Sequence, residues 1–134
     1  MPRNGERGFT MIEILVVLTI VAILAVIGLP AFLAQRSKAQ DADAKSAATV
    51  AAGALEVYDQ DHDGFAAATP AALEEIEPSL KQARALAVTP AAEGYTLSVD
   101  SATGTAFKIK RDAGSTERTC GAPGHGGCPE SGNW

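Results

Sequence analysis

The sequence predicts an α+β protein in which a long N-terminal helix packs on a small antiparallel sheet with a C-terminal disulfide loop. Three observations support this fold class. An apolar run extends from Phe9 to Ala34, apolar and polar residues alternate between Tyr95 and Ile109, and Cys120 and Cys128 enclose a loop rich in Gly and Pro. With 134 residues, the chain has room for one domain and a tail.

The apolar run is long enough to cross a membrane as a helix. Its 26 residues (34 − 9 + 1) would extend about 39 Å at 1.5 Å per residue, against a hydrocarbon core of about 30 Å. It is also longer than the core of a secretory signal peptide. Pro30 lies inside the run, and proline is expected to kink a membrane helix rather than end it.

Glu13 is the single formal charge between Phe9 and Ala34. A charge near the centre of a bilayer costs roughly 2.5–3.5 kcal/mol on insertion scales, and such residues tend to be functional. Glu13 is therefore a candidate functional residue. The alternative is a tolerated charge near the membrane interface, which its side chain reaches by snorkelling.

Helix-forming residues continue from position 35 to position 60, which predicts a single helix that is apolar all round in residues 9–34 and amphipathic in residues 35–60. The apolar residues of the second part fall near helical spacing. They are Ala47, Val50, Ala51, Ala54, Leu55, Val57 and Tyr58.

Residues 61–93 are predicted to connect this helix to the head, which comprises residues 94–134. Thr69 and Pro70 have the residue types of an N-cap and first turn, and they predict a short helix over 71–76. Residues 77–93 show no pattern that assigns them an element. Strands around Tyr95–Val99 and Phe107–Ile109 form a hairpin across the turn at 100–104, and Ser115–Cys120 is a candidate third strand.

The charge distribution argues against binding of nucleic acid. The net charge is −5, whereas contacts with phosphates require clustered Lys and Arg. The one tight basic group is Lys108, Lys110 and Arg111, which we interpret as a solvated strand face. No enzymatic activity is predicted, because neither His62 nor His125 lies near a plausible nucleophile in the sequence and no Gly-rich phosphate loop is present.

The two cysteines favour a disulfide over two free thiols. Neither a CxxC pair nor a second cluster points to zinc. Beside an export-type segment, a Cys120–Cys128 bond would place this end of the chain in an oxidising compartment.

An acidic stretch after the long helix has the start of a calcium loop. Asp59, Asp61 and Asp63 alternate with other residues, and Gly64 is sixth. However, an EF-hand requires an acidic residue at the twelfth position, where Pro70 stands. We therefore favour an acidic turn that ends the helix, keep calcium as the weaker alternative, and predict no other cofactor or metal.

The N-terminal residues resemble the prepilin signal of type IV pilins and pseudopilins. A basic leader at residues 1–8 ends in Gly8 and is followed by Phe9, Thr10 and Ile12-Glu13. In that family a membrane-embedded prepilin peptidase cuts after the glycine, and the new N-terminus is methylated. The resemblance implies cleavage between Gly8 and Phe9, with Glu13 becoming the fifth mature residue. Pro30 and the stretch YDQDHDGF at 58–65 also fit the layout of the family.

The resemblance implies a structural subunit of a pilus-like filament. Glu13 would pair with the amine of Phe9, within one chain or between subunits. The implied partners are the prepilin peptidase, other pilin subunits in a homopolymer or mixed filament, the assembly machinery, and the lipid bilayer before assembly. The chain would cross the inner (cytoplasmic) membrane once with its head outside, and then enter an extracellular pilus or pseudopilus. The alternatives are a pseudopilin of a type II secretion or DNA-uptake machine, and a membrane-anchored module that binds a ligand or calcium.

Overall fold

The computed structural model describes residues 8–134. The first seven residues of the predicted leader lie outside the described part. One helix, α1, extends over Met11–His62, with Pro30 inside it. The chain divides into two compact units, the first ending at Ala34 and the second beginning at Gln35, and each is described by itself.

In the first unit, α1 is apolar on every side. Apolar residues occupy consecutive positions such as Ile14, Leu15 and Val16, so no polar face is set apart from an apolar one. The helix continues past Pro30 to the end of this unit. The kink predicted at Pro30 stays a prediction.

In the second unit, one face of α1 is buried against the rest of the head. Its buried positions recur at intervals of three and four residues, as expected for one helix face. They are Asp41, Ala44, Ala48, Ala51, Ala54, Leu55 and Tyr58. The face predicted from the apolar pattern was wrong at two positions, since Val50 is 36% exposed and Val57 is 44% exposed. Alanine occupies the contact instead, because its small side chain lets the helix backbone lie close to the sheet.

A short helix, α2 (Pro70–Ile76), follows α1 and begins as predicted. The hydroxyl of Thr69 accepts a hydrogen bond from the backbone N–H of Ala72 at 3.2 Å, and Pro70 occupies the first turn. Leu73 of α2 is fully buried. A 3-10 helix, Pro78–Gln82, comes next and buries Leu80.

The sheet is an antiparallel meander of four strands in the order β1-β2-β3-β4. The strands are β1 (Ala87–Ala91), β2 (Gly94–Asp100), β3 (Ala106–Asp112) and β4 (Ser115–Cys120). The helix-facing side carries Leu97, Val99, Phe107 and Ile109, each at most 1% exposed, and these residues form one core with the alanines of α1.

Strand β1 lies in the stretch 77–93, for which the sequence predicts no element. Its residues AVTPA lack the alternation of large apolar side chains that marks a strand, and they include Pro90. Pairing with β2 aligns Val88 with Leu97. Because β1 is at the edge of the sheet, proline is tolerated there.

The segment after the disulfide runs back along β4. The N–H of Cys120 donates to the carbonyl of Gly132 at 2.8 Å, and the N–H of Trp134 donates to the carbonyl of Arg118 at 3.3 Å. Thr119 and Asn133 form an isolated antiparallel bridge between them. The tail therefore covers the outer edge of β4.

Candidate functional site

The predicted cleavage site lies just before the start of α1. Residues 8–10 are outside the helix. The hydroxyl of Thr10 accepts from the N–H of Glu13 at 3.3 Å, and the N–H of Thr10 donates to Oε2 of Glu13 at 3.5 Å. This reciprocal arrangement is a capping box, which satisfies N–H groups that the first helical turn cannot. The carboxylate of Glu13 is thereby directed toward the helix start, next to Phe9.

The peptide bond between Gly8 and Phe9 is open to approach from outside the described chain. Phe9 is 76% exposed. A Cβ added to Gly8 would meet no atom of the described residues within 4 Å. Packing among the described residues therefore does not require glycine at position 8.

The first unit exposes its apolar side chains all along the helix. Among residues 8–134, one helix is long and apolar enough to cross a membrane, and in the N-terminal part of that helix every large apolar side chain is exposed. These side chains, together with Phe9 before the helix, are Phe9, Met11, Ile12, Ile14, Leu15, Val16, Val17, Leu18, Ile20, Val21, Ile23, Leu24, Val26, Ile27, Leu29, Phe32 and Leu33.

The acidic turn does not gather its carboxylates. Asp59 and Asp61 lie in the last turns of α1, and Asp63 follows the helix with a φ of +52°. Residues 8–134 contain no group of three or more His, Cys, Asp or Glu side chains that could hold a metal ion. In the same turn, the ring of His62 stacks on Tyr58 with the ring centroids 4.0 Å apart.

Cys120 and Cys128 form the predicted disulfide, with their Cα atoms 5.8 Å apart. Both cysteines are buried. The tail then places Trp134 edge-on against Phe107, with ring centroids 5.8 Å apart, while its indole N–H donates to the carbonyl of Thr119 at 2.9 Å. The loop and tail thus cover part of the core.

The basic group on β3 divides between the two faces of the sheet. Lys108 and Lys110 are exposed, as expected for a solvated face. Arg111, in contrast, is half-buried and forms an ion pair with Glu56 of α1, with its guanidinium carbon 5.7 Å from the centre of the Phe65 ring. The interpretation of all three residues as one solvated face was wrong for Arg111, because strand alternation turns it toward the helix.

Sequence reasoning missed a buried carboxylate at Asp41, which is 1% exposed. Burial would raise the pKa of Asp41. Side-chain hydrogen bonds from Ser101 and Thr103, the backbone N–H of Gly127 and the charge of Lys45 outweigh burial and lower that pKa below its usual value. The signal in the sequence is its position, three residues before Ala44 on the buried face.

Comparison with known proteins supports the resemblance found in the sequence. The family model of the prokaryotic N-terminal methylation motif matches residues 3–29. The type IV major pilin protein PilE1 of Neisseria gonorrhoeae is 30% identical over 127 residues, which cover 88% of this chain. These two matches support membership of the type IV pilin family. It spans 59% of the length of that pilin. No solved structure matches the chain.

The pilin motif covers part of the predicted site. Residues 3–29 include Gly8, Phe9 and Glu13 and end one position before Pro30. The pilin-like fold supplies the remaining parts, namely the long helix, the four-stranded sheet and the Cys120–Cys128 disulfide.

Proposed function

We propose that this chain is a structural subunit of a type IV pilus-like filament. It is cut by prepilin peptidase between Gly8 and Phe9, methylated at Phe9, and assembled through the apolar part of α1. The observation that carries the proposal is the apolar surface from Phe9 to Phe32, on which every large apolar side chain is at least 46% exposed. Burying one large apolar side chain stabilises by roughly 1.5–3 kcal/mol, so a helix of this kind requires an apolar environment.

Two environments fit this surface in succession. A bilayer covers it before assembly, since a helix satisfies its backbone hydrogen bonds within the segment, except at Pro30, which has no N–H to donate to the carbonyl of Val26. In the filament, neighbouring helices replace the lipid. Lipid tails are as apolar as leucine, so close packing and polar contacts must favour the helices over lipid.

Glu13 supplies such a polar contact. Cleavage creates a cationic amine at Phe9, and the capping box already directs the Glu13 carboxylate toward that end of the helix. In a dry bundle of helices an unpaired charge is costly. Pairing between the amine and Glu13 therefore favours one axial position of a subunit in the filament over the adjacent axial positions.

The protein would have the partners and the cellular location of a pilus subunit. The partners are prepilin peptidase, other pilin subunits and the assembly machinery, with the lipid bilayer as the site before assembly. The chain crosses the cytoplasmic membrane once, and its head lies on the outer side. The Cys120–Cys128 disulfide supports this orientation, because disulfides persist in oxidising compartments. The role is structural, without enzymatic activity.

The experiment that tests this function is the intact mass of the chain recovered from surface material sheared off cells that express it. We expect a mature chain of 134 − 8 = 126 residues that begins at methylated Phe9. The full 134-residue mass in the membrane, with none in the sheared material, would support a membrane-anchored module instead. A cut chain that stays with the cell, accompanied by lost protein export or DNA uptake on deletion, would support a pseudopilin.

Gly8→Val tests the cleavage site itself. An added Cβ meets no atom of residues 8–134 within 4 Å, so the head should fold normally while the uncut precursor accumulates in the membrane. Gly28→Ala is the matched control, because a Cβ there also meets no atom within 4 Å, and it should be cut like the wild type. Mature-length chain from Gly8→Val would overturn the assigned cleavage site.

A further inference from the structure

The disulfide loop is held to α1 at one residue, Gly127, from two sides. The N–H of Gly127 donates to Oδ2 of Asp41 at 2.8 Å, and the carbonyl of Gly127 accepts from Nζ of Lys45. Asp41 and Lys45 are four residues apart, so they lie one above the other on the helix. Gly127 directly precedes Cys128. We call Asp41, Lys45 and Gly127 the loop clasp.

The loop backbone approaches Asp41 closely because glycine occupies two successive positions. Gly126 has a φ of +57°, and a Cβ there would collide with Oδ2 of Asp41. A Cβ on Gly127 would lie 2.8 Å from the Cβ of Asp41. Residues with side chains would hold the loop away from α1, so the geometry of the clasp depends on both glycines.

The two helix residues are themselves held in place before the loop is considered. The other oxygen of Asp41, Oδ1, accepts from the hydroxyl of Thr103 at 2.6 Å, which fixes the carboxylate to the turn between β2 and β3. The Nζ of Lys45 lies 5.5 Å from the centre of the Phe107 ring and 5.8 Å from that of Trp134. The turn at Thr103 and the Phe107 ring of β3 therefore preorganise the clasp, and Trp134 of the tail adds a further contact.

The other half of the disulfide is fixed independently. Cys120 is the last residue of β4 and pairs with Phe107 of β3. When the clasp holds Gly127, it therefore sets the position of Cys128 relative to a cysteine that the sheet has already placed. A free loop of this composition would allow Cys128 many other positions, because Gly permits many backbone conformations.

We propose that Asp41 and Lys45 are positioning residues for the disulfide, holding Cys128 beside Cys120 so that the folded head favours the closed bond. Closure is a thiol–disulfide exchange. With glutathione disulfide as oxidant, a cysteine thiolate attacks one of its sulfurs and releases one glutathione. The second cysteine thiolate then displaces the other glutathione, so two protein thiols become one disulfide and two glutathione thiols form.

The test is the equilibrium constant of that exchange, measured on the full-length chain in detergent micelles across a series of glutathione ratios. We expect Asp41→Ala to lower the constant by about tenfold relative to the wild type, equivalent to about 30 mV for this two-electron couple. Lys45→Met, which keeps most of the side-chain volume, should lower it by a smaller factor. In denaturant, where no clasp exists, all three chains should have the same constant.

Two control variants separate positioning from general loss of stability. Leu73→Ala removes a buried side chain of α2 and should destabilise the head with no change in the exchange constant while the head stays folded. Asp43→Asn alters an exposed acid on the same helix and should change nothing. An unchanged constant in both clasp variants would overturn the proposal. So would an equal change in Leu73→Ala. If Asp41→Ala fails to fold, Lys45→Met alone decides the outcome.

Discussion

The two units of this chain place their apolar residues in opposite ways. From Phe9 to Leu33 the large apolar side chains are exposed along the helix. Residues 35–134 instead bury most of theirs, with Val50 and Val57 as exceptions, in a core that includes four alanines of α1. The first unit therefore depends on lipid or on other chains. The second is stabilised by contacts within the chain. Substitutions in the first unit should change filament assembly without changing the stability of the head. Substitutions in the second unit should change the stability of the head without directly changing the contacts of assembly.

The largest expected effect is on assembly, from Glu13→Ala. The variant should be cut and reach the membrane normally, because apolarity is preserved. Its fibre yield should fall by roughly tenfold or more, since each 1.4 kcal/mol of lost pairing is a factor of ten. The measurement is the mass of sheared fibres per cell, with Glu75→Ala, at an exposed position of α2, as the control.

Glu13→Gln separates pairing from capping. A glutamine at this position still accepts from the N–H of Thr10, as in other capping boxes, but carries no charge. Fibre yield should stay as low as in Glu13→Ala. Wild-type yield from Glu13→Gln would contradict the pairing role and leave the capping box as the function of Glu13.

Next comes the stability of the head, tested by Phe107→Ala. The ring of Phe107 is fully buried, and truncation of a core phenylalanine costs about 3–5 kcal/mol. Ile23→Ala removes a comparable apolar group from the first unit, where Ile23 is 58% exposed, and should leave head unfolding within about 0.5 kcal/mol of the wild type. Denaturant unfolding in micelles, followed by fluorescence of the single Trp, measures both. An equal loss of unfolding free energy in the two variants would show that the stability of the head depends on the first unit.

Cys120→Ser should have a smaller effect on the head. The ring spans 128 − 120 + 1 = 9 residues, and chain-entropy reasoning gives about 2–3 kcal/mol for a loop of this length. Cleavage after Gly8 should be unaffected, because it depends on the first unit. Thiol labelling of the denatured, unreduced wild type should find no reactive cysteine. Two reactive cysteines per chain would show that the mature protein does not contain the disulfide.

The smallest expected effect is a dependence of head stability on pH through Asp41. Its pKa is lowered in the folded head, so its contribution is complete above the unfolded value, 3.8, and is lost as pH falls through the lower folded value. Unfolding midpoints between pH 7 and pH 2 should therefore fall less steeply in Asp41→Asn than in the wild type. Parallel curves for the two proteins would show that Asp41 does not contribute to acid unfolding.

Much of this fold follows from local sequence signals. The apolar run, the Thr69–Pro70 cap and the alternation along β2 and β3 each report on a few neighbouring residues, and the structure confirms the elements they predict. The disulfide was favoured by the Gly- and Pro-rich stretch between the two cysteines together with the export-type segment at the other end of the chain. Each of these signals lies within one continuous stretch of sequence.

The features that sequence reasoning missed depend on what lies opposite in space. In an alanine-rich helix, helical spacing assigns Val50 and Val57 to the apolar face, yet both are exposed because close approach of the sheet selects alanine for the contact. Asp41 is buried because Thr103 and Gly127, far away in sequence, satisfy its oxygens. Residues 87–91 form strand β1 because they pair with the edge of β2. None of these partners can be identified from neighbouring residues.

The tail that follows the disulfide has a consequence for solubility. Open edges of a sheet invite strands from other chains, which leads to aggregation. Residues 132–134 occupy hydrogen-bonding groups along the edge of β4, and Pro90 removes an N–H from β1 at the opposite edge. If the chains assemble as proposed, heads crowded along a fibre are therefore discouraged from joining sheet to sheet, and association is confined to the apolar helix.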